Sequence, residues 1–123
     1  MNARNLVAEV SRKKLGILRH PGVLLPSGKV AHNTPRRGEH ISTVEEFADG
    51  EDVIIDFVVP ESERQAVLNR ILTAVAAPQR YDLFQNNCEV YANRMLARQP
   101  ISPQLRFAVF LAVGVGLIAL CAE

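Results

Sequence analysis

Apolar residues recur along this chain with two different periods, and these divide it into elements. The run SERQAVLNRILTAVAA (62–77) sets Val67, Leu68, Ile71, Leu72 and Val75 at helical spacing, the strongest helix signal in the sequence. Ser62 and Gln65 have capping-box spacing at its start, and Pro78 closes it. DVIIDFVVP (52–60) is rich in β-branched residues and ends in proline, which predicts a strand. GVLLPSGKVAH (22–32) reads as two apolar runs around Pro26-Ser27-Gly28, so a hairpin is expected with strands near 22–25 and 29–33. NLVAEV (5–10) suits a short strand or half a helix. STVEEFADG (42–50) predicts one or two helical turns: Ser42 or Thr43 caps, Ser42 and Glu45 have capping-box spacing, and Gly50 is the stop. YDLF (81–84) is a short strand or turn. NCEVYANRML (87–96) begins a second helix with Val90, Tyr91 and Met95 on one side, ended by Pro100. The order predicts an α+β fold, a small antiparallel sheet packed with helices.

The end of the chain breaks this pattern. SPQLRFAVFLAVGVGLIALCAE (102–123) opens with Ser102 and Pro103, a cap followed by a proline at the first helical position. No charge occurs from Phe107 to Ala122, and the run has no polar face. It is shorter than the ~20 residues that span a bilayer comfortably. Three readings stand: a short or tilted membrane anchor over 105–122, a helix buried in the domain or an oligomer, or a surface-lying or disordered tail. Gly114 and Gly116 would ease close packing in the first two. The chain therefore divides into one domain over 1–100 and a hydrophobic helix over 101–123.

Bulk composition narrows the function classes. A length of 123 residues allows one modest core, and a net charge of +1 gives no nucleic-acid footprint. The basic groups Arg12-Lys13-Lys14 and Arg36-Arg37 are short and read as solvated surface charge. Two cysteines, Cys88 and Cys121, make no disulfide framework, which favours a reducing, cytoplasmic setting. The N-terminus lacks the apolar run of a secretory signal.

Cys88, His20 and His32 are the residues with chemical potential. A thiol nucleophile must ionise, and the first turn of a helix favours an anion there. An imidazole can take its proton, and a third group must orient that imidazole. His20 and His32 are twelve residues apart with the turn between them, so antiparallel pairing makes them near neighbours at the open end of the hairpin. His40, in GEHIST, falls in an expected loop without such a partner. Two other readings remain: a buried structural thiol with a chance pair of histidines, or a zinc site on His20, His32 and Cys88.

These residues resemble a known family. His20-Pro21-Gly22-Val23, then Val30-Ala31-His32 followed by Asn33-Thr34-Pro35, then Asn87-Cys88-Glu89-Val90-Tyr91, look like the LRAT-like group. This is the lecithin:retinol acyltransferase and phospholipase A/acyltransferase family, a circularly permuted branch of the NlpC-type papain-like thiol hydrolases. The resemblance implies a permuted papain-like fold and a Cys88–His20–His32 site that forms an acyl-enzyme thioester. The implied substrate is a phospholipid or another acyl ester, with no cofactor and with the hydrophobic C-terminal helix at a membrane surface. Gln85, Asn87 and Tyr91 become the candidate substrate contacts, with Asn86 beside them; cap and turn roles are the alternative. Asn93 also matches an asparagine of the vertebrate acyltransferases. Val90 replaces the family's usual histidine, Tyr91 its phenylalanine, and the segment from His32 to Cys88 is shorter, as in a minimal microbial or viral member. A cysteine amidase or peptidase of NlpC type, and a non-enzymatic membrane-tethered protein on the same fold, are the competing functions.

Overall fold

A computed structural model describes residues 6–98. The expected hydrophobic helix over 101–123, with Cys121, lies outside the described residues. Five strands form one antiparallel sheet in the order β4-β3-β2-β1-β5: β1 (Ala8–Lys13), β2 (Arg19–Leu24), β3 (Val30–Thr34), β4 (Gly38–Ser42) and β5 (Val53–Val58). Three helices complete the fold: α1 (Val44–Ala48), α2 (Arg64–Ala76) and α3 (Cys88–Met95). The expected α+β class, a small antiparallel sheet packed with helices, is what the chain adopts.

The hairpin forms where Pro26-Ser27-Gly28 predicts it. Gly28 closes the turn with φ +85°, a region open to glycine, and its N–H donates to the Leu25 carbonyl at 2.9 Å. The Ala8–Val10 part of NLVAEV is strand: β1 runs on through Ser11, Arg12 and Lys13 and pairs with β2 from Ala8↔Leu24 to Lys13↔Arg19. GEHIST was expected as loop and is instead β4, paired with β3 from Val30↔Ser42 to Thr34↔Gly38. Gly38, the charged Glu39 and His40, with Ile41 as the single large apolar residue, hide a strand whose alternation is weak.

Consecutive residues of β3 belong to different cores. Val30 packs with Val10 and Phe47, whereas Ala31 packs with Val7, Val23, Val59, Val67, Ile71, Ala74, Tyr91 and Met95. Since neighbouring strand residues point to opposite faces, the sheet is covered on both sides. One face lies under α1, and the other lies under α2 and α3.

The helix starts differ from the expected caps. Thr43, one of the two expected caps, caps α1, but its capping box closes with Glu46, where the Ser42–Glu45 spacing points to Glu45. Ser62 lies in a 3₁₀ turn, Glu61–Glu63, and the N-cap of α2 is Glu63 with no side-chain cap bond. The α2 stripe is narrower than expected: Val67, Ile71 and Ala74 are buried, while Leu72 and Val75 are exposed. Val67, Ile71 and Ala74 stand at i, i+4 and i+7 on one helix face, and Leu72 lies one position off it. β5 forms the other edge, with Ile54, Ile55, Phe57 and Val58 exposed. Arg98 lies across it, 5.6 Å from the Phe57 ring and 2.7 Å from Glu9.

Candidate active site

The thiol sits at the first position of α3, and the chain before it is tightly held. Asn87 caps the helix: its Oδ1 accepts the N–H groups of Glu89 and Val90, both at 3.0 Å, and its Nδ2 donates to the Leu83 carbonyl at 2.8 Å. Upstream, Asp82 accepts from the N–H groups of Phe84 and Gln85 and bridges to Asn86. Asn86 donates to the buried Glu39 carboxylate at 2.8 Å, and Arg94 pairs with the same carboxylate at 2.7 Å. Asn33 of β3 donates to the Asn86 carbonyl at 2.8 Å. β3 and β4 thus grip the turn that delivers Cys88, which is fully buried.

The first turn of α3 lies over the fork between β2 and β3. Their ladder is registered at Val23↔Ala31 and Leu24↔Val30. Pro21, which has no N–H to extend a ladder, lies beyond that stretch. The register centres on residue 27, one later than the midpoint of the two histidines. His20 is therefore a diagonal rather than a direct partner of His32, and the side chains still meet. His20 Nε2 and His32 Nδ1 are 2.9 Å apart. Gly22 makes this possible. A Cβ there would lie 2.6 Å from Val30 and 2.7 Å from the Phe47 ring. Phe47 occupies that space and packs on both imidazoles, with ring centroids 5.4 Å from His20 and 5.1 Å from His32.

The protons of this chain can be assigned by elimination. Ser42 Oγ donates to the Thr43 carbonyl at 3.0 Å, so its hydroxyl proton is engaged. His32 Nε2, 2.9 Å from Ser42 Oγ, must then be the donor in that bond. A neutral His32 consequently has an accepting Nδ1, and His20 Nε2 donates to it. The neutral tautomer of His20 carries its lone pair on Nδ1. Thr43, Ser42 and His32 together hold the His20 ring, the relation that a base and its orienter would need.

Burial keeps both imidazoles neutral. His20 is pushed well below its ordinary value, first by burial and then by the charges of His32, Arg12, Lys14 and His40. His32 is lowered to about 3, again by burial first and then by His40, Arg12 and Arg37. His40 is not the isolated loop residue expected: it stands directly opposite His32 across β3 and β4, with ring centroids 4.3 Å apart. Burial lowers it too, against the raising effect of its bond to the Gly38 carbonyl.

The expected surface group Arg12-Lys13-Lys14 is only partly surface. Arg12 is buried opposite His20, and its Nε donates to the Phe47 carbonyl at 3.0 Å. Lys14 is half-buried and its Nζ donates to Cys88 Sγ at 3.6 Å. The ammonium that touches the sulfur is also one whose charge His20 feels.

Of the expected substrate contacts, Gln85 is exposed, whereas Asn87 is occupied as the helix cap and Tyr91 is buried in the main core. Burial raises the Tyr91 phenol, followed by the charge of Glu39. Sequence reading misses Ser42, Lys14, Asn33 and Glu39 as parts of the site. The one available signal was parity: Ser42 lies ten residues after His32 with a tight Arg36-Arg37-Gly38 turn between. The facing nitrogens of His20 and His32 are bonded to each other, so those two atoms cannot both ligate one zinc ion. Among the described residues no group of three or more His, Cys, Asp or Glu side chains converges as metal ligands. No family model matches the chain, nor does any curated protein or solved structure.

Proposed function

We propose that this protein is a thiol acyltransferase or phospholipase A-type hydrolase of the LRAT-like pattern, on a permuted papain-like arrangement. Cys88 is the nucleophile, His20 the base and His32 the orienter. The observation that carries this reading is the buried chain Thr43–Ser42–His32–His20, whose two imidazoles stand on β2 and β3, the strands against which the helix of Cys88 packs. Cys88, ionised to the thiolate, adds through Sγ to an ester carbonyl carbon. The tetrahedral intermediate collapses to a thioester, and the alcohol leaves with a proton from solvent. His20 then takes a proton from water or from an accepting alcohol or amine, which attacks the thioester and frees the sulfur. Asn87 engages the N–H groups of Glu89 and Val90, and the Cys88 amide at the head of the helix is assigned to the oxyanion.

A lipid acyl ester is the substrate class because the uncharged run from Phe107 to Ala122 gives the enzyme a reason to work at a membrane surface. Cys88 is fully buried, so this reading requires the packing around the thiol to open for substrate. The test is incubation of wild type and Cys88→Ala with mixed phospholipid vesicles and, in parallel, with peptide amides. Fatty acid and lysophospholipid released by wild type alone support the proposal. Equal release by the two proteins, or cleavage of amides only, overturns it, the latter in favour of an amidase.

A further inference from the structure

We infer that Lys14 is the counter-ion of the Cys88 thiolate, a positioning residue that holds the sulfur ionised while His20 stays neutral. This rests on the reading of Cys88 as a nucleophile and adds what keeps it reactive. Lys14 follows directly on β1, in a turn that fixes its backbone: its N–H donates to the Leu18 carbonyl at 3.0 Å, and the Leu18 N–H returns to Leu15 at 2.8 Å. The β1–β2 register places this turn beside the start of β2 and so beside His20. From there Nζ reaches Sγ at 3.6 Å, within the range of a charge-assisted bond to sulfur.

The groups around the thiol favour this division of charge. From β1 come Arg12, the cross-strand partner of His20, and Lys14. From β2 come His20 itself and Arg19, whose guanidinium is bonded to Ser11. β3 presents the uncharged Asn33 and the orienting His32. On α3, Glu89 lines a cavity of about 570 Å³ together with Arg19 and Arg98. An imidazolium at His20 would stand among Arg12 and Lys14, whereas a thiolate at Cys88 meets an ammonium and the positive end of α3. The resting step is a simple ionisation: the S–H bond breaks, the proton goes to solvent, and Lys14 keeps its three protons. The alcohol expelled on acylation recovers that proton from solvent, and the lone pair of His20 remains for the acceptor.

The thiolate of the full-length protein can be titrated by its absorbance near 240 nm, taken as the difference from Cys88→Ala to remove Cys121 and the tyrosines. We expect a midpoint at least one pH unit below the ~8.5 of an unperturbed thiol. Lys14→Met should raise that midpoint by about one pH unit or more, and Lys14→Arg should restore it. His20→Asn should move it by less than half as much. Coincident curves for wild type and Lys14→Met, or a larger effect of His20→Asn than of Lys14→Met, overturn the inference. The readout needs no turnover. A Lys14-dependent thiolate without acyl products would leave the ion pair standing and reject the lipid enzyme, while acyl products with no Lys14 dependence would do the reverse.

Discussion

On the sheet face beneath α2 and α3, the buried apolar residues are Val7, Val23, Ala31, Val59, Val67, Ile71, Ala74, Tyr91 and Met95. On the face beneath α1 they are Val10, Val30 and Phe47, and much of the remaining buried surface there belongs to Arg12, His20, His32 and Ser42. The first face removes most of the apolar area from water and holds the fold together, at roughly 25 cal/mol for each Å². The second buries polar groups that each need a partner, which is why they are linked in a chain. A short helix and one aromatic ring suffice to dry this face, because its task is to orient imidazoles. Cys88 joins the two: its helix belongs to the large core, and its thiol reaches toward the polar end of the sheet, where Lys14 meets it.

The comparison can be broken most severely in the large core. Ile71→Ala should cost about 2–5 kcal/mol in chemical denaturation, the range for emptying a packed aliphatic site. Glu39→Gln removes the carboxylate that Arg94 and Asn86 share; since Arg94 is partly solvated, the expected loss is about 2–3 kcal/mol rather than that of a fully enclosed pair. Gly22→Ala tests the polar face. Its Cβ would press on Phe47 and Val30, so we expect a loss of about 1–3 kcal/mol together with a drop in activity larger than any core variant of equal stability shows.

Acid should expose the same division. An unfolded histidine binds a proton below about pH 6.5, whereas folded His32 resists until about pH 3. The unfolded state therefore holds more protons in that window, and stability falls as pH drops from about 6.5 toward 3. Each such histidine contributes up to about 1.4 kcal/mol per pH unit, and His32→Gln should flatten the urea-midpoint profile across the window. The smallest effect is reserved for the outer side of α2: Leu72→Ser should change stability by no more than about 0.5 kcal/mol, because Leu72 is exposed.

Periodicity and punctuation carried much of the fold. The hairpin about Pro26-Ser27-Gly28, the β5 strand, α2 and the start of α3 are all readable because apolar spacing and turn residues agree there. β4 was not, since Gly38-Glu39-His40-Ile41-Ser42 alternates weakly and its Glu39 is buried with partners distant in sequence, Gln79, Asn86 and Arg94. The approach of His20 and His32 was readable from symmetry about the turn, but not the one-residue offset that makes it diagonal. Lys14 and Arg12 read as surface charge because nothing local marks them. Their surroundings come from α3 and from Phe47, which only the folded sheet brings near. Ser42 and Thr43 both read as possible helix caps; Thr43 takes that role, and Ser42 bonds His32 instead.

The central claim is that Cys88 carries an acyl group during turnover. Intact-mass spectrometry of the protein quenched in acid after brief exposure to phospholipid vesicles tests it most directly. The account predicts an adduct equal to one acyl chain on the peptide containing Cys88, removed by neutral hydroxylamine and absent from Cys88→Ala. Lipid turnover with no adduct on that peptide, or an equal adduct on Cys88→Ala, would contradict it.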